Sequence, residues 1–531
     1  MYAWGWAVYM LESIAAIITF NLIVYYRALK FLAVVDDIRW YASIQKGNFK
    51  GKWTAKNFIN KLTQRIYGGG TFARLKTCPV CKGQGHVRIP VVGPKIPAPG
   101  DNGKKVPDSI SSPCKQCQAQ GEIHITNIKI DHLFSIIIHT FISVLIYLSL
   151  GRDAISFWAA MLYSCNPANT QTSIWLNGRR YAVNVALMLL TILTPPWGIL
   201  LYLFSLKNQV TTILAPILLG GFYWLLIPAA LWMGKDRYKV FYKDRMLTIV
   251  SDDMRKFTPK RLIVITKTLG FYTAKMLFPG RILMVYPFLK NWGLTEEGNE
   301  DAYRIDYRFG IGIGAMAMAI FAVLTLPDPL RLYAAFTFLA TLQWCNILVA
   351  TQTAADRYIS APNVFMMFFV SFLAHRFLGS YAVTVIVALM VYYLTNLSVG
   401  MRQYRNIESF FNYHLYFDPA NVIARKFRIN WLLNLPQPDV LGAWELIKAG
   451  LISNPNDFSM LYQAALCLQI MGDAKASNLY IEKCEENHYI NQKPLWDKHL
   501  IDIRNRNKQT LDMEKPSQLK GRMMNFARGN K

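Results

Sequence analysis

A series of long apolar stretches constrains this chain more than any other feature of its sequence. A helix that crosses a bilayer needs about 20 mostly apolar residues. Stretches of this kind lie near residues 5–26, 132–150, 154–165, 181–206, 210–233, 262–289, 309–326, 331–351, 358–378 and 380–399. Charged residues are only 17% of the 531 residues, against 53% hydrophobic ones, whereas soluble globular proteins usually have about 25% charged residues. We therefore predict an all-α polytopic membrane protein with about nine to eleven transmembrane helices.

Some of these stretches are interrupted or short. Pro195 and Pro196 divide 181–206, so we expect two short helices that meet at a bend. Residues 154–165 are too few to cross a bilayer without tilting, re-entry or extension by their neighbours. No basic segment precedes residues 5–26 and no small-residue cleavage site follows them, so we expect a retained first helix within 1–30.

The net charge of +26 is concentrated in three basic extramembrane blocks. The first loop, 27–131, has 18 Lys and Arg against 6 Asp and Glu, the block 235–261 has 9 against 4, and the tail 490–531 has 10 against 4. Charge counting puts all three in the cytoplasm, but this rule is reliable only for loops shorter than about 60 residues. Membrane lipids are the expected partners, and nucleic acid is not, because no nucleic-acid-binding module is recognisable.

Four of the eight cysteines form two CxxC pairs with the spacing of a zinc site. The predicted metal ligands are Cys78, Cys81, Cys114 and Cys117. Two such pairs complete a closed site of four sulfurs, which is structural because no coordination position stays open. Each pair begins a segment that resembles the CxxCxGxG repeat of the DnaJ cysteine-rich domain, although the second copy has Ala119 in place of a glycine. Two copies imply one zinc ion; two disulfides or a redox dithiol are the alternatives in an oxidising compartment.

The 32 residues between the two pairs are rich in Pro, Gly and Val, and we predict a β-hairpin there, within a zinc-ribbon insert over 74–124. The remaining cysteines, Cys165, Cys345, Cys467 and Cys484, show no ligand spacing. We expect them to be small, buried apolar residues.

Several short strings resemble, in the same order, the motifs of polytopic GT-C glycosyltransferases. They are closest to protein O-mannosyltransferase-like membrane proteins with C-terminal tetratricopeptide repeats. The strings are Asp36-Asp37, His132 to Thr140, Asn166 to Gln171 followed by Trp175 and Arg179-Arg180-Tyr181, Phe271 to Pro279, and Asp356-Arg357-Tyr358 with Pro362. Asn166 stands where that family has a histidine, and the cysteine insert is not part of the family's pattern.

The resemblance implies a transferase whose donor is a sugar on a lipid phosphate. Asp36 and Asp37 match the family's acidic pair, and a carboxylate at the membrane surface can take the proton of an acceptor hydroxyl. The expected ligands of the donor phosphate are Arg179, Arg180 and Arg357, since a guanidinium can bind two phosphate oxygens at once. The alternatives are a water-facing acidic turn for the aspartates and contacts with lipid head groups for the arginines.

His132 and His139 are seven residues apart, two helical turns, and so share one face of a helix. They either bind the acceptor or pack polar helix faces together. Two histidines alone do not predict a metal site.

The predicted domains follow from these patterns. After the first helix come an extramembrane loop over 31–131, a polytopic membrane domain over 132–400 and a helical segment over 401–490. The last of these has two helix pairs over 437–488, with a turn predicted at Gly472-Asp473. They resemble tetratricopeptide repeats, which commonly bind protein partners. Residues 491–531 are predicted to be a basic tail, disordered over its final 20 residues.

Two classes of function are compatible with these features, and a third is disfavoured. The first is an integral-membrane glycosyltransferase, in a bacterial inner membrane or the endoplasmic reticulum, that transfers a sugar from a polyprenyl- or dolichyl-phosphate to a hydroxyl on protein or glycan. Mannose is the leading candidate for the sugar. The second is a non-catalytic scaffold of the same fold that recruits partners through its zinc knuckles and repeats. A transporter is disfavoured, because the sequence has neither mid-span charges nor a repeated half.

Overall fold

The computed structural model describes residues 2–31, 74–77, 86–90, 109–113, 122–125, 128–195, 197, 214–220, 227, 258–280, 282–283, 286, 303–347, 354–419, 421–433, 438–453, 455–486 and 500–511. These residues divide into two compact units. The first unit takes its described residues from 1–72 and 128–421, and the second takes them from 73–127 and 422–531.

All regular secondary structure among the described residues of the first unit is helical. Its α-helices are α1 (Tyr2–Tyr25), α2 (Ile128–Leu150), α3 (Ala154–Cys165), α4 (Thr170–Ser173), α5 (Arg179–Leu193), α6 (Pro259–Leu277), α7 (Tyr307–Thr325), α8 (Leu330–Leu342), α9 (Ser360–Leu378), α10 (Ala382–Met401) and α11 (Ile407–Phe417). Short 3-10 helices lie at Tyr26–Lys30, Pro167–Asn169, Leu176–Gly178, Ala215–Leu219, Asp356–Ile359, Gly379–Tyr381 and Arg402–Tyr404, and a π-helical turn lies at Gln343–Ile347.

Among the described residues, four segments are long and apolar enough to cross a membrane. They are Ala7–Lys30, Lys129–Leu150, Tyr307–Thr325 and Asp356–Tyr404, of which the last contains both α9 and α10. Apolar side chains of α7 point outward, and Leu324 is 78% exposed. An apolar outer face of this kind suits a helix surrounded by lipid. These segments coincide with five predicted stretches, while the full number of crossings stays a prediction.

Local signals set two helix ends. At the start of α3, Asp153 Oδ1 accepts a hydrogen bond from Ser156 N at 2.8 Å, and Ser156 Oγ accepts one from Asp153 N at 2.9 Å. This capping box satisfies amide groups that the helix itself leaves without acceptors. At its other end α5 stops at Leu193, two residues before Pro195, since proline disfavours helical geometry in the residue before it. The interruption predicted at Pro195 is therefore confirmed.

The main core of the first unit lies where α2, α3, α5, α9 and α10 pack together. Each of these helices contributes a buried apolar side chain to it: Ile142, Leu162, Leu189, Phe365 and Tyr393. Interiors of this kind are close-packed and resist deformation. They therefore provide a rigid base for the short helices that hold the candidate site.

α6 and α7 cross at two glycines. A Cβ atom at Gly270 would collide with the backbone carbonyl oxygen of Arg308, and one at Gly312 would collide with the carbonyl oxygen of Thr266. The two backbones are therefore too close for any side chain at either position, and only glycine fits.

Asp306 caps α7 and pairs with a buried lysine of α6. Its Oδ1 accepts a hydrogen bond from Arg308 N at 3.0 Å, and its Oδ2 lies 3.2 Å from Nζ of Lys267. Burial acts to raise the pKa of Asp306, but the hydrogen bonds and charges of Arg308 and Lys267 outweigh it and bring the pKa to about 2.

The second unit contains two antiparallel strand pairs. β1 (Arg74–Thr77) pairs with β4 (Glu122–Ile125), and β2 (His86–Pro90) pairs with β3 (Ser109–Pro113). The β2–β3 pair is the antiparallel pairing expected between the two CxxC pairs. The ligands of the predicted zinc site, Cys78, Cys81, Cys114 and Cys117, lie outside the described residues.

The second unit also contains a series of helices. They are α12 (Val422–Leu433), α13 (Val440–Ser453), α14 (Phe458–Met471), α15 (Ala474–Glu486) and α16 (500–511). Packing joins consecutive helices from α12 to α15. The predicted turn after α14 is confirmed, because Gly472 has a φ of 87°, a left-handed conformation that favours glycine. The assignment of these helices to tetratricopeptide repeats stays a prediction.

No local sequence signal predicts α16, which lies within the predicted basic tail. Its side chains Leu500 and Ile503 are buried in the same cluster as Ile481 of α15. The expectation for the four cysteines outside the CxxC pairs is confirmed, since all of them are buried and free: Cys165, Cys345, Cys467 and Cys484.

Candidate functional site

The predicted catalytic aspartates, Asp36 and Asp37, lie outside the described residues. The predicted phosphate ligands and both histidines lie within them. Arg180 and Arg357 contact the same tyrosine, while Arg179 pairs with Asp131, the residue before His132 in the chain. His139 takes part in a separate network.

Arg179 forms a buried ion pair at the start of α5. Its guanidinium donates to the Asp131 carbonyl oxygen at 2.6 Å and to Asp131 Oδ1 at 3.3 Å, and its Nε donates to Ser135 Oγ at 3.0 Å. Arg179 and Asp131 are both 0% exposed. The pair ties the first turn of α5 to the first turn of α2, so we interpret Arg179 as a positioning residue.

His132 is buried directly after Asp131. Its ring packs edge-on against Phe31, with 6.4 Å between ring centroids. Phe31 is the last described residue before the acidic pair and precedes Asp36 by five positions. The segment that carries the predicted base thus starts beside His132.

Arg180 and Arg357 meet at one tyrosine. Cζ of Arg180 lies 5.2 Å from the centroid of the Tyr181 ring, and Cζ of Arg357 lies 5.8 Å from it. Arg357 Nε also donates a hydrogen bond to the Tyr181 hydroxyl at 3.4 Å. Nε of Arg180 has no hydrogen-bond partner within the described part of the chain. Two guanidinium groups from distant parts of the sequence are therefore brought together.

Aromatic rings and an amide hold Arg357 in place. Its Nη1 donates to Gln171 Oε1 at 3.2 Å, and its Cζ lies 5.4 Å from the Trp175 ring and 4.8 Å from the Tyr358 ring. The Tyr358 ring stacks on Trp344 with 4.1 Å between centroids. Arginine stacks on aromatic faces in this way without losing its planar set of donors.

The short helices between α3 and α5 position Gln171 through side-chain bonds to the backbone. Asn166 Oδ1 accepts from Ala168 N at 2.9 Å, and its Nδ2 donates to the Met276 carbonyl oxygen at 2.9 Å. Gln171 Nε2 donates to the Leu283 carbonyl oxygen at 2.9 Å. Asn166, where the resembling family has histidine, thus serves as a helix cap in this chain.

Asp356, which begins the Asp356-Arg357-Tyr358 string, is a buried acidic residue that was not among the predicted site residues. Its Oδ2 accepts a hydrogen bond from the Tyr286 hydroxyl at 2.8 Å, and its Oδ1 has no hydrogen-bond partner among the described residues. The ammonium group of the buried Lys275 lies 4.7 Å from the centroid of the Tyr286 ring. An acid-arginine pair directly before a long apolar stretch was the available sequence signal, because such charges are costly to bury without a role.

His139 lies deeper along α2 in a second polar cluster. Its Nε2 is 3.3 Å from the Ser164 carbonyl oxygen, which also accepts from the Tyr25 hydroxyl at 2.8 Å. Ser164 Oγ accepts from Asn21 Nδ2 at 2.9 Å. This network joins α1, α2 and α3, in agreement with the interpretation of His139 as a residue that packs polar helix faces.

The described residues include no group of three or more His, Cys, Asp or Glu side chains that could hold a metal ion. The arrangement at Tyr181 instead provides two cationic groups, and the buried Asp356 directly precedes one of them, Arg357, in the chain. Such a combination suits a ligand that carries both negative charge and hydrogen-bond donors.

No protein-family model matches this chain, and comparisons with curated proteins and with solved structures also find no match.

Proposed function

We propose that this chain is an integral-membrane glycosyltransferase that transfers a sugar from a polyprenyl- or dolichyl-phosphate to a hydroxyl on protein or glycan. Mannose is the leading candidate for the sugar. The observation that carries the proposal is the meeting of Arg180 and Arg357 at the Tyr181 ring. Two guanidinium groups so placed can bind the donor phosphate and stabilise the negative charge that develops on it as it leaves.

The proposed reaction needs a base and a leaving group. The acceptor oxygen attacks the anomeric carbon of the sugar, and the bond from that carbon to the phosphate oxygen breaks. The bonding electron pair stays on the lipid phosphate, next to Arg180 and Arg357. The proton of the acceptor hydroxyl goes to the carboxylate of Asp36, with Asp37 as the second acidic group of the pair.

Contacts in the first unit support a position for Asp36 near the arginines. Phe31 packs on His132, and the neighbouring Asp131 holds Arg179, which directly precedes Arg180. Asp36 follows Phe31 by five residues, a distance that extended chain spans in at most about 18 Å. The proposal therefore gives His132 a place between the base and the phosphate ligands, where it can contact the acceptor.

The test is a transfer assay on the purified full chain with polyprenyl-phosphate mannose and polyprenyl-phosphate glucose as donors. Asp36→Asn keeps the shape of the side chain but cannot accept the proton, and loss of a general base typically costs about 10²–10⁴-fold in rate. We expect this loss without a change in expression or folding. Full activity of Asp36→Asn would place the base elsewhere.

A non-catalytic scaffold is the second candidate, and Asn166 is the observation that favours it. The side-chain oxygen and nitrogen of Asn166 both form hydrogen bonds with the backbone. Asn166 replaces a histidine of the resembling family and has a structural role here. The scaffold is preferred if wild-type protein transfers no sugar from either donor.

We propose further that the four paired cysteines hold one structural zinc ion. Strand register supports this, because Thr77 of β1 pairs with Glu122 of β4 and His86 of β2 pairs with Pro113 of β3. The two CxxC segments, 78–85 and 114–121, each have eight residues between these same paired positions. Equal connections between shared ends favour two knuckles that face each other across one ion.

Zinc content of the purified chain tests this part separately. We expect one ion per chain, lost in Cys81→Ser and retained in Cys345→Ser, a matched change at a buried free cysteine. Equal zinc content in both variants contradicts the site.

A further inference from the structure

Asp356 has one occupied oxygen and one available oxygen in a buried environment. Asp356 is 0% exposed, its Oδ2 accepts from the Tyr286 hydroxyl at 2.8 Å, and its Oδ1 has no partner in the part of the chain that the structure describes. A buried acceptor without a donor is destabilising, and more so when it belongs to an ionisable group. Folded proteins therefore usually supply a partner for such an atom, either from a ligand or from water.

The backbone around Asp356 is held firmly. The Tyr286 hydroxyl that donates to the carboxylate also accepts from Leu283 N at 2.8 Å. The preceding residue, Ala355, donates its N–H to the Tyr272 hydroxyl at 3.1 Å. Because both supports come from buried tyrosines, the free oxygen of Asp356 has a defined position.

Two cations accompany this carboxylate. Lys275, whose Nζ lies 4.7 Å from the centroid of the Tyr286 ring, and Arg357 are both close enough to interact with Asp356 electrostatically. Arg357 is the next residue in the chain, with its Cα about 3.8 Å away. A guanidinium that suits phosphate and an oxygen that suits hydroxyl donors therefore come from adjacent residues of the chain.

We propose that Asp356 accepts hydrogen bonds from hydroxyl groups of the donor sugar while Arg180 and Arg357 hold the phosphate to which that sugar is attached. This inference rests on the proposed function and adds a residue that binds the sugar rather than the lipid or the phosphate. The chemical class of ligand is a hexose joined through its anomeric carbon to a polyprenyl phosphate. Carboxylates are well suited to this task, because they accept strong hydrogen bonds from neutral donors.

The experiment compares binding of two ligands to the full chain in lipid nanodiscs. The ligands are polyprenyl-phosphate mannose and sugar-free polyprenyl phosphate, with polyprenyl-phosphate glucose as a second hexose. We expect Asp356→Asn to weaken binding of the sugar-bearing lipids by about 10- to 100-fold, the cost of losing a hydrogen bond to a charged group. Binding of the sugar-free lipid should not change. Arg180→Gln should weaken all three ligands.

Two further variants, Asp328→Asn and Tyr286→Phe, distinguish loss of binding from loss of folding. Asn can still accept the hydrogen bond from Tyr286, so Asp356→Asn should still unfold cooperatively, at a midpoint lowered by the loss of its interaction with Lys275 and Arg357. Asp328→Asn is the matched control, because Asp328 is 54% exposed and pairs at the surface with Arg331. Tyr286→Phe leaves the carboxylate in place without its support, and we expect a smaller loss of binding confined to the sugar-bearing lipids.

The outcomes separate this inference from the proposed function. If Asp356→Asn weakens sugar-bearing and sugar-free lipids equally, or weakens neither, the inference is wrong and Oδ1 bonds to water. That result leaves the transferase proposal intact as long as wild-type protein transfers sugar. If Asp356→Asn weakens binding of the sugar-bearing lipids alone but no transfer occurs with any acceptor, the chain binds the sugar without being a transferase. If wild-type protein binds none of the three lipids, both proposals fail.

Discussion

Neighbouring arginines can have very different environments, as Arg179 and Arg180 do. The guanidinium of Arg179 is fully buried against Asp131, whereas Nε of Arg180 has no hydrogen-bond partner among the described residues. Removing one member of a buried pair leaves an uncompensated charge and typically costs about 3–5 kcal/mol of stability. Charge alone therefore does not distinguish a positioning arginine from a ligand-binding one; the partner does.

We expect Arg179→Gln to lower the free energy of unfolding by about 3–5 kcal/mol. Arg180→Gln should lower it by less, about 1–2 kcal/mol, since a partly desolvated cation–π contact contributes about that much. Denaturant unfolding of the purified chain in detergent micelles measures both. Equal destabilisation by the two variants would show that the Asp131 pair has no special role.

At the scale of secondary-structure elements, the α6–α7 crossing depends on the absence of two side chains. We expect Gly270→Ala to reduce stability by about 1–3 kcal/mol, because its Cβ would meet the Arg308 carbonyl oxygen and force the helices apart. Gly314→Ala is the matched control on α7, where a Cβ would meet nothing within 4 Å. Alanine is the better helix former by up to about 1 kcal/mol, so Gly314→Ala should be neutral or stabilising. Thermal unfolding midpoints that fall in both variants contradict the close crossing.

The start of α7 should make stability depend on pH. The folded-state pKa of Asp306 is about 2, below its ordinary value of 3.8. A lowered pKa means that ionised Asp306 stabilises the fold above about pH 4, and that this stabilisation is lost as the pH falls towards 2. The difference in unfolding midpoint between wild type and Asp306→Asn should therefore be constant above about pH 5 and shrink below pH 4. A difference that does not change with pH contradicts the assigned pKa.

The sequence predicted elements well where one local signal dominated. Long apolar runs marked α2, α7, α9 and α10, and Gly472 marked the turn after α14. The sequence missed α16, because its residues are mostly polar and its two buried side chains, Leu500 and Ile503, need α15 to pack against. Tertiary packing, rather than intrinsic propensity, stabilises most helices of this kind.

The sequence predicted residues of the candidate site by their type, but it did not predict their contacts. Arg180 and Arg357 could be selected by residue type. Their contact with one tyrosine could not, because Arg357 lies 176 residues after Tyr181. The partner of Arg179 and the available oxygen of Asp356 likewise follow from long-range contacts. No local spacing rule encodes contacts of this range.

At the scale of the whole molecule, the proposed chemistry depends on the side of the membrane that Asp36 faces. The family resemblance puts Asp36, the cysteine insert and the C-terminal helices on the non-cytoplasmic side, opposite 235–261. Charge counting puts them all in the cytoplasm. We expect the family topology, because long loops can cross a membrane regardless of their charge.

Single cysteines decide between these topologies. Gly100→Cys and Lys520→Cys should react from one side with a membrane-impermeant thiol reagent, and Val250→Cys should react from the other. The unsubstituted chain controls for the native cysteines. Labelling of all three from the same side contradicts the family topology.

The buried pair of Asp131 and Arg179 also has a consequence for biosynthesis. The ribosome makes Asp131 first, and its partner follows 48 residues later. At a synthesis rate of about 5–20 residues per second, the Asp131 carboxylate exists for roughly 2–10 s before Arg179 is made. The start of α2 should therefore remain hydrated until α5 emerges, and the two helices should enter the bilayer as a pair. Ribosome-bound chains that end before Arg179 should accordingly leave the first turn of α2 open to water-soluble reagents.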